Sequence, residues 1–275
     1  MEYKLKVARP RFIDMTADSD RSRFDLVELK QDGMWAVLGI KAGDMRIYGP
    51  SGDWRKVFPT LGDNVSDIMI LGEYMFGSNW AIKHSVSGQF RAFDIIEYAD
   101  NNLRDSPLRE RRAELEVFNL LHGQEWSWFQ ICPQWDISRT DYIWKNWVED
   151  NDYEGVVFKN SNDAYGKNWG RIKRTFTVDY VCLGFNEGSG KYKGMAGSVK
   201  AGLYVDDELT QVCNVAGLVE IERQNFWQNQ KDFIGKVFVA TGYRLFASGA
   251  LRHPSLSRRE DTPWRDDKTP EQCVL

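Results

Sequence analysis

The feature that most constrains this chain is a change of periodicity near Val178. Ahead of it, segments 24–30, 35–40, 68–75, 90–96, 154–159 and 169–174 alternate as short strands, each bounded by Gly, Asp or Asn. Two helical segments lie among them. One opens at Ser106-Pro107, an N-cap followed by proline at the first helical position, and carries Leu108, Leu115, Phe118 and Leu121. The other opens at Ser138, with Asp141 three residues on, and carries Ile143, Trp147 and Val148. Beyond Val178 the chain reads as strands separated by Gly-rich turns from Tyr180 to Ala247, with one helix near 220–233. The pattern predicts an α+β domain of antiparallel sheets with flanking helices over 1–177, then a small β domain over 178–275. A length of 275 residues suits two modest domains, each with its own core.

Several classes are excluded by composition. With 11 Trp and 15 Phe and an ordinary charged fraction of 28%, the chain is not disordered. No apolar run approaches the ~20 residues that cross a bilayer, and Met1-Glu2-Tyr3-Lys4-Leu5-Lys6 is followed by no apolar core of a signal peptide. An intracellular, cytoplasmic protein with no membrane partner is expected. Cys132, Cys182, Cys213 and Cys273 stand far apart, as do His84, His122 and His253, so neither a disulfide nor a zinc framework has supporting spacing. The net charge of −4 gives no overall attraction for phosphate, so basic residues must act by local placement. They cluster at Arg171, Lys173 and Arg174, at Lys191, Lys193 and Lys200, and at Arg252, Arg258, Arg259, Arg265 and Lys268.

The candidate chemistry begins at Lys30-Gln31-Asp32-Gly33, a lysine at a strand end with a carboxylate and a glycine close behind. Alternation puts Phe24, Leu26, Glu28 and Lys30 on one face. Such a motif alone is also an ordinary strand-to-turn junction. Glu73 is a carboxylate on an otherwise apolar strand and needs a cation, a hydroxyl or a metal. Phe93, in Ala92-Phe93-Asp94-Ile95-Ile96, is a core aromatic or a stacking platform for a base. In Glu154-Gly155-Val156-Val157-Phe158-Lys159, alternation puts Glu154 with Val156 and Phe158, and Lys159 with Val157. Arg171 and Lys173 share a face, as a two-cation comb for phosphates. Gly188-Ser189-Gly190-Lys191 lacks the spacing of a P-loop and reads as a turn. The late run Arg265-Asp266-Asp267-Lys268 reads by itself as a solvated charge cluster.

Taken in order, Lys30-x-Asp32-Gly33, Glu73, Phe93-Asp94, Glu154-Gly155-x-x-x-Lys159, Arg171-x-Lys173 and Arg265-x-Asp267-Lys268 resemble the motif series of covalent nucleotidyltransferases, and within them of compact, viral- or phage-like ATP-dependent DNA ligases. The resemblance spans all but roughly the first twenty residues. It implies a nucleotidyltransferase (adenylation) domain followed by an OB-fold β-barrel. The implied activity is sealing of 3′-OH/5′-phosphate nicks in duplex DNA by a monomer, with ATP and Mg²⁺ (or Mn²⁺). Lys30 would become adenylated, Glu28 would read the adenine amino group, and Phe93 would stack on the ring. Glu73 would meet the ribose or a metal, and Glu154 the metal. Lys159, Arg171 and Lys173 would contact phosphates, with Lys173 neutralising the leaving pyrophosphate, and Arg265 and Lys268 would close over the β- and γ-phosphates. Asp32 would lie near the nick 3′-OH.

The family pattern K-x-D-G-x-R ends here on Trp35, and Gly49-Pro50 stands where a Ser-Arg pair is usual. Recognition of the 5′-phosphate is therefore expected either to be weakened or to pass to Arg46 or Arg55. With 29 residues ahead of Lys30, no nicotinamide-binding domain is expected, and no long insertion is evident near Tyr204 to Leu209. The other implied possibilities are an RNA ligase, a capping guanylyltransferase and a non-catalytic nucleic-acid-binding relative.

Overall fold

A computed structural model describes residues 7–52, 54–58, 66–75, 88–99, 101–123, 126–257 and 262–275. The chain divides into two compact units between Lys173 and Arg174. Each is mixed α/β and dominated by antiparallel sheet.

In the first unit, one sheet is ordered β1 (Phe12–Asp14), β12 (Trp169–Lys173), β11 (Gly155–Lys159), β2 (Leu26–Lys30) and β10 (Gln134–Asp136). Its pairings are antiparallel except β1 with β12. The second sheet runs β5 (Trp54–Val57), β4 (Asp44–Tyr48), β3 (Met34–Lys41), β6 (Ile68–Met75), β7 (Gln89–Tyr98) and β8 (Asn101–Asn102), with β9 (Phe129–Ile131) added parallel to β7. Alternation along these strands sorts three apolar layers. Leu38, Ile70 and Phe90 meet Leu115 and Phe118 of α1 (Leu108–Leu121) on one face of the second sheet. Val37, Leu71, Phe93, Val157 and Trp169 fill the space between the sheets. Val27, Leu29, Val156 and Phe158 meet Ile143 and Val148 on the far face of the first sheet. Between α1 and β7 the buried Arg111 guanidinium donates to both oxygens of buried Asp94, at 2.8 and 2.9 Å, so neither charge is left unpaired in the interior.

Local chemistry moved several boundaries. Phe24 precedes β2 and packs with Val27 and Leu29, not with Glu28 and Lys30 as strict alternation predicts. Leu121 is exposed at the end of α1. The segment expected to start at Ser138 is capped two residues earlier by Asp136, whose side chain accepts from the Ser138 N–H. It then runs as a 3₁₀ turn, a short helix α2 (Thr140–Ile143) and a π-helical stretch Trp144–Glu149, and the widened turn leaves Trp147 exposed.

The second unit is a sheet ordered β15 (Glu208–Val215), β14 (Ala196–Val205), β13 (Phe176–Glu187), β16 (Val237–Gly242) and β17 (Ser255–Leu256), all antiparallel. A parallel bridge between Ala216 and Ser255 joins the two outer strands. Helix α3 (Glu220–Gln228) packs Phe226 into a core with Tyr180, Phe185, Val199 and Phe238. β14 and β15 are linked by Asp206 and Asp207, both at positive φ (49° and 66°), the signature of a two-residue primed turn with no inserted loop. The Gly188–Lys191 segment is a turn leading into the 3₁₀ element Gly190–Tyr192. Among the described residues no helix is long and apolar enough to cross a membrane.

Candidate active site

Register across the first sheet explains why the chemistry-bearing residues meet. Lys30 stands opposite Gly155, which stands opposite Lys173. Glu28 stands opposite Gln134 on one side and Val157 on the other, and Val157 opposite Arg171. Directly opposed residues share a face, so Glu28, Lys30, Lys159, Arg171 and Lys173 all project away from the Val27–Phe158 layer. On the facing sheet Trp35 is the register partner of Glu73. Between them lies a cavity of about 180 Å³, lined by Glu28, Lys30, Trp35, Glu73, Phe93, Lys159, Trp169 and Arg171 and, from the N-terminal segment, by Arg9 and Phe12.

Gly155 decides where Glu154 points. Strict alternation would send Glu154 with Val156 into the opposite layer, but Gly155 adopts φ +151°, and its carboxylate neighbour emerges on the Lys30 side. A Cβ at Gly155 would lie 2.0 Å from the Ile172 carbonyl oxygen, so no other residue type fits. Lys30 Nζ donates to Glu154 Oε2 at 2.6 Å, and Lys173 Nζ lies 3.2 Å from Oε1, so one carboxylate carries two ammonium groups. Gly33 is also tightly placed: a Cβ there would lie 2.8 Å from the Met75 sulfur and 3.0 Å from the Tyr74 carbonyl oxygen.

Lys159 is not beside Glu154. It is buried, donates to both Glu28 oxygens at 2.7 Å, and stands 4.1 Å from the Trp169 ring centroid and 5.0 Å from that of Phe93. Gln134 Nε2 adds a third contact to Glu28, at 2.6 Å. Phe93 is held edge-on to Trp169, with centroids 5.6 Å apart. Arg171 lies on Asp14 at 2.5 Å, and its guanidinium holds that carboxyl below the usual range. Asp32 is buried just beyond Lys30.

Glu73 has a different environment. Its Oε2 is shielded from solvent with no hydrogen-bond partner, and burial pushes its carboxyl up to about 8, with Lys30 opposing the shift and Glu154 reinforcing it. Cys132, at the cavity wall, is pushed up to about 12 by burial and is no nucleophile at neutral pH. Among the described residues no three His, Cys, Asp or Glu side chains form a metal cage.

Of the expected residues of the first unit, Asp32, Glu154 and Lys173 are not among those lining this cavity. Arg265 and Lys268 belong to the second unit, where both pair with Asp179, Arg265 at 3.5 Å, and Arg265 also grips Asp267 through two bonds of 2.7 Å. Arg46 lies 2.6 Å from Asp44 and is not among the cavity-lining residues. The side chain of Arg55, together with Arg258 and Arg259, lies outside the described residues. Conversely, Arg9, Trp169, Gln134 and Cys132 contribute to the cavity or its hydrogen bonds without a sequence signal of their own. Strand pairing brings their segments there: β1 with β12 for Arg9, β11 with β12 for Trp169, β10 with β2 for Gln134, and β9 with β7 for Cys132.

No protein-family model matches the chain. Over 203 residues, 66% of this chain, it is 25% identical to the multifunctional non-homologous end joining protein LigD of Pseudomonas aeruginosa, and it is 27% identical over 219 residues to a DNA ligase of Haloarcula marismortui. The matched stretch spans 24% of the first relative and 38% of the second. Among solved structures, Pmar-Lig_PreS3 aligns with a TM-score of 0.72 at 16% identity, covering 90% of this chain and 67% of that one. A structure described as "DNA binding with a minimal scaffold: Structure-function analysis of Lig E DNA ligases" aligns with a TM-score of 0.68 at 16% identity, covering 94% of this chain and all of that one. The fold is shared with these ligases, and the sequence is similar to DNA ligases along most of its length.

Proposed function

We propose that this chain, which shares the fold and motif order of ATP-dependent DNA ligases, is itself such a ligase and seals 3′-OH/5′-phosphate nicks in duplex DNA through an AMP carried on Lys30. The observation that carries the reading is the convergence of Lys30, Glu28, Glu73, Phe93 and Arg171 on one cavity from four strands of two sheets. In the first step the Lys30 amine attacks the α-phosphate of ATP, a P–N bond forms and pyrophosphate leaves. Phe93 offers its ring to the base, and the Glu28–Lys159–Gln134 set reads the base edge. Arg171 and Lys173 balance charge on the phosphates, where fixed cations lower the barrier most. AMP then passes from Lys30 to the 5′-phosphate of the nick, and the 3′-OH, with Asp32 nearby, displaces AMP.

Glu154 and the unpartnered Glu73 oxygen fit a hard divalent cation, which takes one or two carboxylates and completes its shell from phosphates and water. When bound, Mg²⁺ or Mn²⁺ would supply charge neutralisation at the phosphates. The second unit is read as an OB-fold, a reading supported by its five antiparallel strands and the Ala216–Ser255 bridge. Its Arg265 and Lys268 are assigned to the nucleotide phosphates by motif order alone. The protein is read as an intracellular monomer acting on DNA.

The test is incubation with labelled ATP or GTP and Mg²⁺, followed by nicked DNA. The wild type is expected to form covalent AMP and ligated product, and Lys30→Ala neither. Covalent GMP would point instead to a capping guanylyltransferase, sealing restricted to RNA strands to an RNA ligase, and adenylation surviving in Lys30→Ala would remove that lysine from the chemistry.

A further inference from the structure

The cations lining the cavity are unequally matched. Lys30 lies on Glu154, Lys159 on Glu28 and Arg171 on Asp14, but Arg9 forms no ion pair among the described residues. Its guanidinium stands 5.0 Å from the centroid of the Trp35 ring. This arrangement orients the planar group and leaves its N–H fork available for an anion. Trp35 is itself 91% buried, since 9% of its surface is exposed, and its indole Nε1 is shielded from solvent with no acceptor. A buried donor without a partner is uncommon in a folded protein and calls for an acceptor supplied from outside the chain. Both residues line the same cavity as Lys30.

Arg9 is also held in place. The Tyr165 hydroxyl donates to the carbonyl of Ala8, the Trp169 N–H donates to the carbonyl of Arg11 at 2.9 Å, and Pro10 between them is buried. The residue is exposed, but its backbone is pinned on both sides.

We infer that Arg9 and Trp35 together form a phosphate-binding clamp at the mouth of the Lys30 cavity, the guanidinium supplying charge and the indole N–H a fixed second donor. A phosphate suits this pair because it accepts a forked guanidinium and a further hydrogen bond at once. Of the carboxylates near the cavity, Glu28 is committed to Lys159 and Glu154 to Lys30 and Lys173, while Glu73 feels the charge of Arg9 without forming an ion pair with it. The inference rests on the proposed ligase chemistry for its ligand, which is a phosphate of the nucleotide or the 5′-phosphate of the nick. It does not rest on that chemistry for its geometry.

Binding measured without turnover separates the two questions. In Mg²⁺-free buffer, ATP, a nicked duplex with a 5′-phosphate and the same duplex with a 5′-hydroxyl are titrated into the wild type, Arg9→Ala, Arg9→Lys and Trp35→Phe. Arg9→Ala is expected either to weaken ATP binding about tenfold or more, or to abolish a preference for the 5′-phosphate over the 5′-hydroxyl duplex. The affected arm identifies the phosphate. Arg9→Lys restores part of the loss, because it keeps charge without the fork, and Trp35→Phe loses less because it keeps the ring. Thermal melting of each variant shows that the fold is intact, and Arg9→Lys carries the test if Arg9→Ala does not fold. Unchanged ATP affinity and unchanged phosphate preference in a folded Arg9→Ala or, if that does not fold, in Arg9→Lys would overturn the clamp. Failure of the wild type to form covalent AMP would instead overturn the ligase reading and leave these binding ratios to decide the clamp alone.

Discussion

Lys30 and Glu73 line the same cavity, yet among the described residues only Lys30 has an ion-pair partner, and the difference makes Glu73 the residue whose charge state answers to conditions. Its folded-state carboxyl is raised to about 8 from an ordinary 4.5, chiefly by burial. Between those values the folded protein holds a proton on Glu73 that the unfolded chain releases, so the contribution of this group to stability is greatest below about pH 4.5 and is lost as pH rises through about 8. Glu73→Gln removes the titration while keeping the shape. In EDTA, wild type and variant should differ little near pH 5, and the variant should gain on the wild type toward pH 8.5. The gain should be on the order of 3 kcal/mol, because each tenfold change in a proton equilibrium is worth about 1.4 kcal/mol. Thermal melts at the two pH values check this, and a constant difference between the two proteins would show that Glu73 ionises freely in the fold. Divalent cation should narrow the gap for the wild type alone, since a cation on Glu73 replaces its proton.

At the level of elements, β11 carries the strictest demand in the site. Gly155→Ala would place a Cβ against the Ile172 carbonyl of β12 in a conformation L-residues rarely adopt. The expected cost is about 2–4 kcal/mol, by strain and loss of strand pairing. Because Gly155 also turns Glu154 toward Lys30, under the proposed chemistry adenylation should fall further than the lost stability explains, which is read by assaying well below the variant's melting temperature. The same glycine shows where sequence reasoning stops. The strand at 68–75, the strand read at 154–159 and observed from Gly155, and the faces of Glu28, Lys30, Arg171 and Lys173 follow from period-two alternation. Glu154 departs from alternation because one residue at positive φ inverts it, and that angle is set by contact with β12, distant in sequence. The segment at 137–149 departs for a local reason, since Asp136 competes with Ser138 for the capping position and the turn then widens. Arg9 and Gln134 had no periodic signal, because their places come from pairing of β1 with β12 and β10 with β2.

For the molecule as a whole, the apolar layers respect the division at Lys173 and Arg174: three belong to the first unit and one to the second. The first unit therefore contains its own core and, in Lys30, Glu28, Lys159, Glu154, Lys173 and Arg171, its own ion pairs. A fragment ending at Lys173 should fold by itself and unfold cooperatively, because the strands that pair around the cavity all lie within it. Under the proposed chemistry the fragment should still bind ATP, since the base-facing and Lys30-facing residues are retained, but form covalent AMP more slowly by at least about tenfold, the order expected from losing transition-state contacts to the leaving phosphates. The loss would be assigned to Arg265 and Lys268 by comparing the fragment with full-length Arg265→Ala and Lys268→Ala. Asp179→Asn in the full chain is the control in the other direction: it removes the carboxylate that both cations share, so it should not slow adenylation if their work is done on phosphate. A fragment that adenylates at the full-length rate would confine the first step to the first unit and leave Arg265 and Lys268 with no part in it.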